Sequence, residues 1–281
     1  MTAWALLLAL CATPELDRAA ELTLPDANDV ALVRDLSTGE LILEHHGAVA
    51  KKARIAPGSV MKAFTAYAIL EAGLDRSAYV CKGEHVDPRG HHRPCWDRRG
   101  HGEMRLRTAL ANSCNAWFYA TVERIDGARI LDAWRRFGIP AAGTADEVPL
   151  AIDDDERLDV AVGDHRALAI TARTLLDATA RLATRDGQSG LNVAHLEAIA
   201  HGLEEAARSG TLASTFLGLD VAAKSGTGPK RGAPGTRGLV IGWTPARAPR
   251  YVFVLVKDRG RGAKDAGPAA RAIAEILGKK R

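Results

Sequence analysis

The chain has 281 residues, 47% hydrophobic and 26% charged, which is enough to bury a substantial core and too apolar for wholesale disorder. The net charge of +4 is spread along the sequence, without the concentrated basic arm that nucleic-acid binding needs, so no nucleic-acid partner is expected.

The first residues, MTAWALLLALCATPEL, hold an apolar run from Ala3 to Ala12 that is too short to span a bilayer and about as long as a signal-peptide core. A basic leader is missing, and LALC ending at Cys11 is similar to a lipoprotein processing box with Leu10 where a small residue normally stands. Export to the periplasm or cell envelope is the expectation, with residues 1–14 as the export segment and 27–281 as the folded domain. A cleaved signal, a lipid or membrane anchor, and an N-terminal helix packed on the domain all stay open.

Residues 29–45, DVALVRDLSTGELILEH, read as a hairpin around Ser-Thr-Gly. The apolar run after Ser59 has helical length and ends near Gly73. Residues 82–107 form a polar, His- and Arg-rich insert with little periodicity, whose arginines read as a solvated face. Helical spacing follows in LRTALANSCNAWFYATVERI, GARILDAWRRFGI, TARTLLDATARLATRDG and NVAHLEAIAHGLEEAARSG. The period then changes: LDVAAKSGTG, TRGLVIGWTP and PRYVFVLVKD read as strands, and AGPAARAIAEILGKK as a closing helix. The order implies an α/β protein of the α+β type, an antiparallel β-sheet built from both termini, flanked by helices, with an inserted all-helical lobe.

Three short motifs carry chemistry. Ser59 and Lys62, in APGSVMKAF, stand three apart at a helix start, where free backbone N–H groups can stabilise an oxyanion and a neutral lysine can take the serine proton. Ser113 and Asn115, in ANSCNAWF, lie between two helical patterns. Lys224, Ser225, Gly226 and Thr227 sit on a strand, a cation with hydroxyls suited to a carboxylate. Each has an ordinary explanation alone, such as a helix cap. GLDVAAKS falls one glycine short of a phosphate-binding loop and leads into helix-hostile GTGPKRGAPG, which excludes the nucleotide reading.

Taken together and in this order, the motifs resemble the transpeptidase domain of penicillin-binding proteins, within the superfamily that includes serine β-lactamases. PGS before the first motif, HG at 101–102, FG at 137–138 and IGWTP after the third belong to the same likeness, which runs from about residue 29 to the C-terminus. The resemblance implies that Ser59 forms an acyl-enzyme and that Lys62 is its base, kept neutral partly by Lys224. Ser113 would relay a proton to the leaving nitrogen, and Asn115 would hold a substrate amide. Lys224, Ser225 and Thr227 would bind the terminal carboxylate, with the N–H groups of Ser59 and Thr227 as oxyanion hole. The implied partners are peptidoglycan stem peptides, β-lactams and cell-wall synthesis proteins, with no cofactor and no metal. The chain reads as a catalytic domain alone, without the long N-terminal domains of large cell-wall synthases. In AVGDHRALAIT, Asp164 and His165 depart from the Gly-Gln-Gly often found there. A D,D-transpeptidase or D,D-carboxypeptidase is the leading function; a serine β-lactamase and a non-catalytic penicillin sensor stay open.

Four cysteines include Cys81, Cys95 and Cys114 outside the export segment. In an oxidising compartment Cys81 and Cys95 could close a short disulfide loop, leaving Cys114 odd, and whether the insert is a plain solvated loop or is tied this way stays open. A zinc site drawing on Cys81, His85, His91, His92, Cys95 and His101 matches no standard spacing, and no metal is assigned.

Overall fold

The computed structural model describes residues 13–140, 156–165, 168–185, 190–230 and 232–280. The apolar run from Ala3 to Ala12 lies outside them, and so do the residues after Arg185 in TRDG. The first element is a helix that the sequence reading did not place, α1 (Thr13–Thr23), so the folded body extends upstream of residue 27. Its period-3.6 stripe of Leu16 and Ala20, continued by Leu24, is completely buried.

The predicted hairpin is β1 (Val30–Asp35) and β2 (Leu41–His45), antiparallel as expected. Helix α2 (Gly47–Lys52) and a 3-10 turn (Gly58–Met61) lead into α3 (Lys62–Glu71), in which every residue from Lys62 to Leu70 is buried. A helix apolar on all faces has no solvent side to offer and becomes the axis of a lobe. The insert is not the irregular loop expected. Four short strands, β3 (Tyr79–Cys81), β4 (Glu84–Val86), β5 (His92–Pro94) and β6 (Gly102–Met104), pair as β3–β6 and β4–β5. Three-residue strands are too short to show a period, which explains why the pattern was invisible.

Helices α4 (Leu106–Ala111), α5 (Asn115–Val122), α6 (Gly127–Arg136), α7 (Glu156–Val162) and α9 (Val193–Arg208) pack around α3 in the helical lobe, while α8 (Ala172–Thr184) lies against the N- and C-terminal strands of the sheet. The chain then returns as β7 (Ala222–Pro229), β8 (Thr236–Thr244) and β9 (Tyr251–Lys257), followed by a π turn (Gly262–Ala266) and α10 (Gly267–Gly278).

The five-stranded sheet has the order β2-β1-β9-β8-β7, every pair antiparallel, so both ends of the chain build it. Strand β9 lies inside the sheet, buried on both faces. Val252, Val254 and Val256 join the core shared with the helical lobe, while Tyr251, Phe253 and Leu255 join the core under α1 and α10. A one-residue slip would exchange these two sets, so two apolar cores fix one register. The outcome places β7 at the sheet edge beside the start of α3. Among the described residues, no helix is long and apolar enough to cross a membrane.

Candidate active site

Three chain segments meet at the N-terminal end of α3. The 3-10 turn carries Ser59, half-buried, and α3 opens with Lys62, completely buried. Lys62 Nζ lies 3.1 Å from Ser59 Oγ, so the three-residue spacing puts base and hydroxyl on one side of the helix start. The same amine donates to the Ser113 carbonyl at 2.8 Å, lies 3.3 Å from Ser113 Oγ and contacts Asn115 Oδ1. From across the cleft, Lys224 Nζ, also completely buried, lies 2.8 Å from Ser113 Oγ and 3.1 Å from the Ser225 carbonyl. A continuous polar path therefore runs Ser59–Lys62–Ser113–Lys224.

The two amines share little solvent. Burial pushes Lys62 down from 10.5 to about 8, against the opposing pull of Cys95, Cys114 and Asp164. Burial lowers Lys224 well below its ordinary value, and the charge of Lys62 lowers it further. Two lysines bridged by one hydroxyl resist being charged together; Lys224 is the one pushed further down, while Lys62, at about 8, becomes a free amine beside Ser59 only as the pH rises past neutral.

Ser113 holds this position at a conformational cost. The helical pattern of residues 106–125 breaks at Asn112–Cys114, and Ser113 adopts φ 52°, the left-handed region that costs a non-glycine residue about 1 kcal/mol. The break aims both its carbonyl and its hydroxyl at Lys62.

Gly58, at φ +56°, is required by close approach. A Cβ there would stand 2.3 Å from the Thr227 carbonyl oxygen and 3.0 Å from the Thr227 nitrogen. The backbones of the first and third motifs thus touch. Gly58→Ala should lower Tm by about 5–10 °C, because a backbone clash and left-handed strain together cost a few kcal/mol. Thermal unfolding checks this, and a variant as stable as the parent would show that the turn is not clamped against β7.

The cleft between these segments has a volume of about 600 Å³ and is lined by Ser59, Ser113, Asn115, Ser225, Gly226 and Thr227. All eight residues singled out in the sequence therefore converge, Lys62 and Lys224 from beneath the surface. Thr227 Oγ1 is already engaged by the Gly262 N–H at 3.1 Å, so the π turn orients it. The sequence reading missed Trp96, Thr211, Arg261 and Lys264, which also line the cleft. Arg261 and Lys264 belong to RGRGAKD after the last sheet strand, a basic glycine-rich run that was available as a signal for an anion-facing turn.

Asp164 lines the cleft as well, at the departure already noted, while His165 is buried with its Nε2 3.1 Å from Glu156. Desolvation holds the Asp164 carboxyl above its ordinary range, and the charge of Asp159 adds to this, against Lys62.

The disulfide left open between Cys81 and Cys95 is not formed: Cys81, Cys95 and Cys114 are all free and buried. The histidines of the insert separate. His85 Nε2 pairs with Glu123 at 2.8 Å, His91 with Asp87 and His92 with Glu84, each at 3.1 Å. His101 alone turns towards the sulfurs.

Residues 37–277 match the family model described as penicillin binding protein transpeptidase domain. Penicillin-binding protein 1A of Rickettsia felis is 27% identical over 129 residues, which are 41% of this chain and 16% of that protein's length. The structure of Pseudomonas aeruginosa PBP2 superposes with a TM-score of 0.79 at 20% identity, covering 94% of this chain and 74% of that one. Helicobacter pylori PBP2, in its complex with MreC, gives a TM-score of 0.80 at 18% identity, covering 95% of this chain and 62% of that one.

Proposed function

The chain belongs to the penicillin-binding protein transpeptidase family, and from that premise we propose that it is a serine D,D-acyltransferase acting on peptidoglycan stem peptides that end in D-Ala-D-Ala. The observation that carries the reading is the completely buried Lys62 amine, 3.1 Å from Ser59 Oγ and lowered to about 8.

In the proposed reaction, neutral Lys62 takes the Ser59 proton as Oγ attacks the carbonyl of the penultimate D-alanine. The N–H groups of Ser59 and Thr227 receive the negative oxygen. Ser113, bonded to both lysines, passes a proton to the amide nitrogen as its bond to carbon breaks, and the terminal D-alanine leaves. Asn115 holds the substrate amide; Lys224, Ser225, Gly226 and Thr227 hold the terminal carboxylate. The acyl group then passes to an amine of a second stem peptide, or to water. β-Lactams fit the same site because opening the lactam leaves the acyl group on Ser59. Work at the cell envelope follows from the substrate, and a cell-wall assembly partner, as MreC is for the Helicobacter pylori protein, belongs to the same reading.

The test is release of D-alanine from a peptide ending in D-Ala-D-Ala, with and without an acceptor amine, beside a time course of intact mass after penicillin. Release together with a Ser59 adduct supports the reading; neither one overturns it.

Asp164 favours a hydrolytic outcome as a second reading, whether carboxypeptidase or β-lactamase. A carboxylate that opens onto the cleft and is raised above its usual range is suited to take a proton from an attacking water. Asp164→Asn should leave penicillin acylation intact and slow loss of the adduct about 10²-fold. An unchanged adduct lifetime would remove Asp164 from the deacylation step.

A further inference from the structure

Behind Ser113 and Asn115 lies a cluster that the proposed chemistry does not use. Cys81 at the end of β3, Cys95 after β5, His101 before β6 and Cys114 before α5 place their ligand atoms within 4.8 Å of one another. His101 Nδ1 is 3.6 Å from Cys81 Sγ and 3.5 Å from Cys95 Sγ, and Cys95 Sγ is 4.0 Å from Cys114 Sγ. Zinc bonds of about 2.3 Å to sulfur and about 2.0–2.1 Å to nitrogen, at tetrahedral angles, separate two sulfurs by about 3.8 Å and sulfur from nitrogen by about 3.6 Å. The three separations of 3.6, 3.5 and 4.0 Å are close to edges of a coordination tetrahedron, and the whole set, within 4.8 Å, needs only a small inward shift to close on an ion. A disulfide needs its sulfurs at about 2.05 Å, and 4.0 Å is far outside that.

The surroundings are built for such a centre. The backbone segments carrying the ligands touch each other: a Cβ on Gly100 (φ +86°) would stand 2.3 Å from the Cys81 carbonyl oxygen. Cys95 N–H donates to the Gly83 carbonyl at 2.9 Å, fixing its loop against the β3–β4 turn. The backbone N–H groups of Asn115 and Ala116 face Cys95, and that of Trp117 faces Cys114, so the start of α5 solvates the sulfurs. The Trp96 ring packs 5.2 Å from His101, and His101 Nε2 is buried with no hydrogen-bond partner. Three thiols and one imidazole facing inward satisfy one another poorly, and a soft, tetrahedral dication satisfies all four.

We propose that Cys81, Cys95, Cys114 and His101 Nδ1 bind one zinc ion, and that this ion, through Cys114, holds the left-handed turn that aims Ser113 and Asn115 at Lys62. Binding releases the three thiol protons and leaves a closed four-ligand site with no place for substrate, so the ion is a structural tie between the insert and the second motif. Cys114, flanked by two residues that contact Lys62, is the mechanical link.

The experiment is elemental analysis of the full chain in a Cys11→Ser background, purified reduced, followed by cobalt(II) exchange. The expected result is one zinc per chain, with cobalt giving thiolate-to-metal charge-transfer bands and the strong visible absorption of a tetrahedral site. Three freely titrating thiols without bound metal, or a disulfide among them, would overturn the site. Where Cys114→Ser fails to fold, Cys81→Ser and His101→Gln serve, each expected to lose stoichiometric zinc. Stripping the metal with a chelator should slow penicillin acylation about 10²-fold, with recovery on adding zinc, because a displacement of about 1 Å at the turn is enough. Acylation indifferent to the metal would overturn the coupling. Metal content is read without substrate, so failure of the acyl-enzyme reading and failure of the zinc site are separable.

Discussion

Ser59→Ala should show no mass increment after penicillin under conditions in which the parent chain is fully labelled. The hydroxyl forms the covalent bond, and no neighbouring group replaces it: Ser113 Oγ is held between two lysines and Cys114 is turned into the sulfur cluster. Loss of a serine nucleophile costs on the order of 10⁶-fold in an established case, below any practical detection here. Ser59 is half-buried and Oγ makes one short contact, to Lys62, so the variant should unfold within a degree or two of the parent. Labelling of the alanine variant, located after digestion, would move the nucleophile elsewhere.

Lys62→Met carries the second large effect. Methionine keeps the buried length and removes the amine, so the fold should persist while acylation falls about 10²–10⁴-fold, the range for a lost general base. The pH dependence separates a base from a mere contact. Burial holds Lys62 at about 8, so the acylation rate of the parent should rise with pH through about 8 and then level off. The methionine variant should lose that step. Stability has a related sign. The folded-state value lies below the 10.5 of an exposed lysine, so between about 8 and 10.5 the unfolded chain binds the additional proton and the Lys62 contribution to stability rises with pH. A parent rate that is flat across pH 7–9, with an unimpaired methionine variant, would sink the assignment.

Much of this was legible in the sequence because it is local or periodic. Helical spacing located α3, α6, α8, α9 and α10, and the break inside residues 106–125 showed in Asn-Ser-Cys-Asn between two apolar stretches. The strands of the sheet were read from their β-branched runs, and the motif order joined them to one site. The insert was not legible. Its strands are three residues long, and its cysteines and histidines sit at irregular spacing, so the spacing assigns neither a disulfide nor a metal set. The structure keeps the sulfurs unbonded and brings Cys114, the odd thiol of the sequence, into one cluster with Cys81, Cys95 and His101. Helix α1 was overlooked because an apolar leader of signal-peptide length stands directly before it. Arg261 and Lys264 enter the cleft only because β8 and the π turn fold back beside β7.

By itself, the sequence determined which residues could do chemistry and in what order they come. Side-chain type, three-residue spacing at a helix start and strand alternation are properties of a few neighbouring positions. The tertiary structure decided the state in which those residues act. Lys62 is an ordinary cation until α3 is buried on every side, and Lys224 lies 162 residues away from it until β7 closes on the same hydroxyl. Low dielectric, the contact of two amines through Ser113 and the meeting of three cysteines with His101 all depend on distances between segments remote in the chain, which no local pattern encodes.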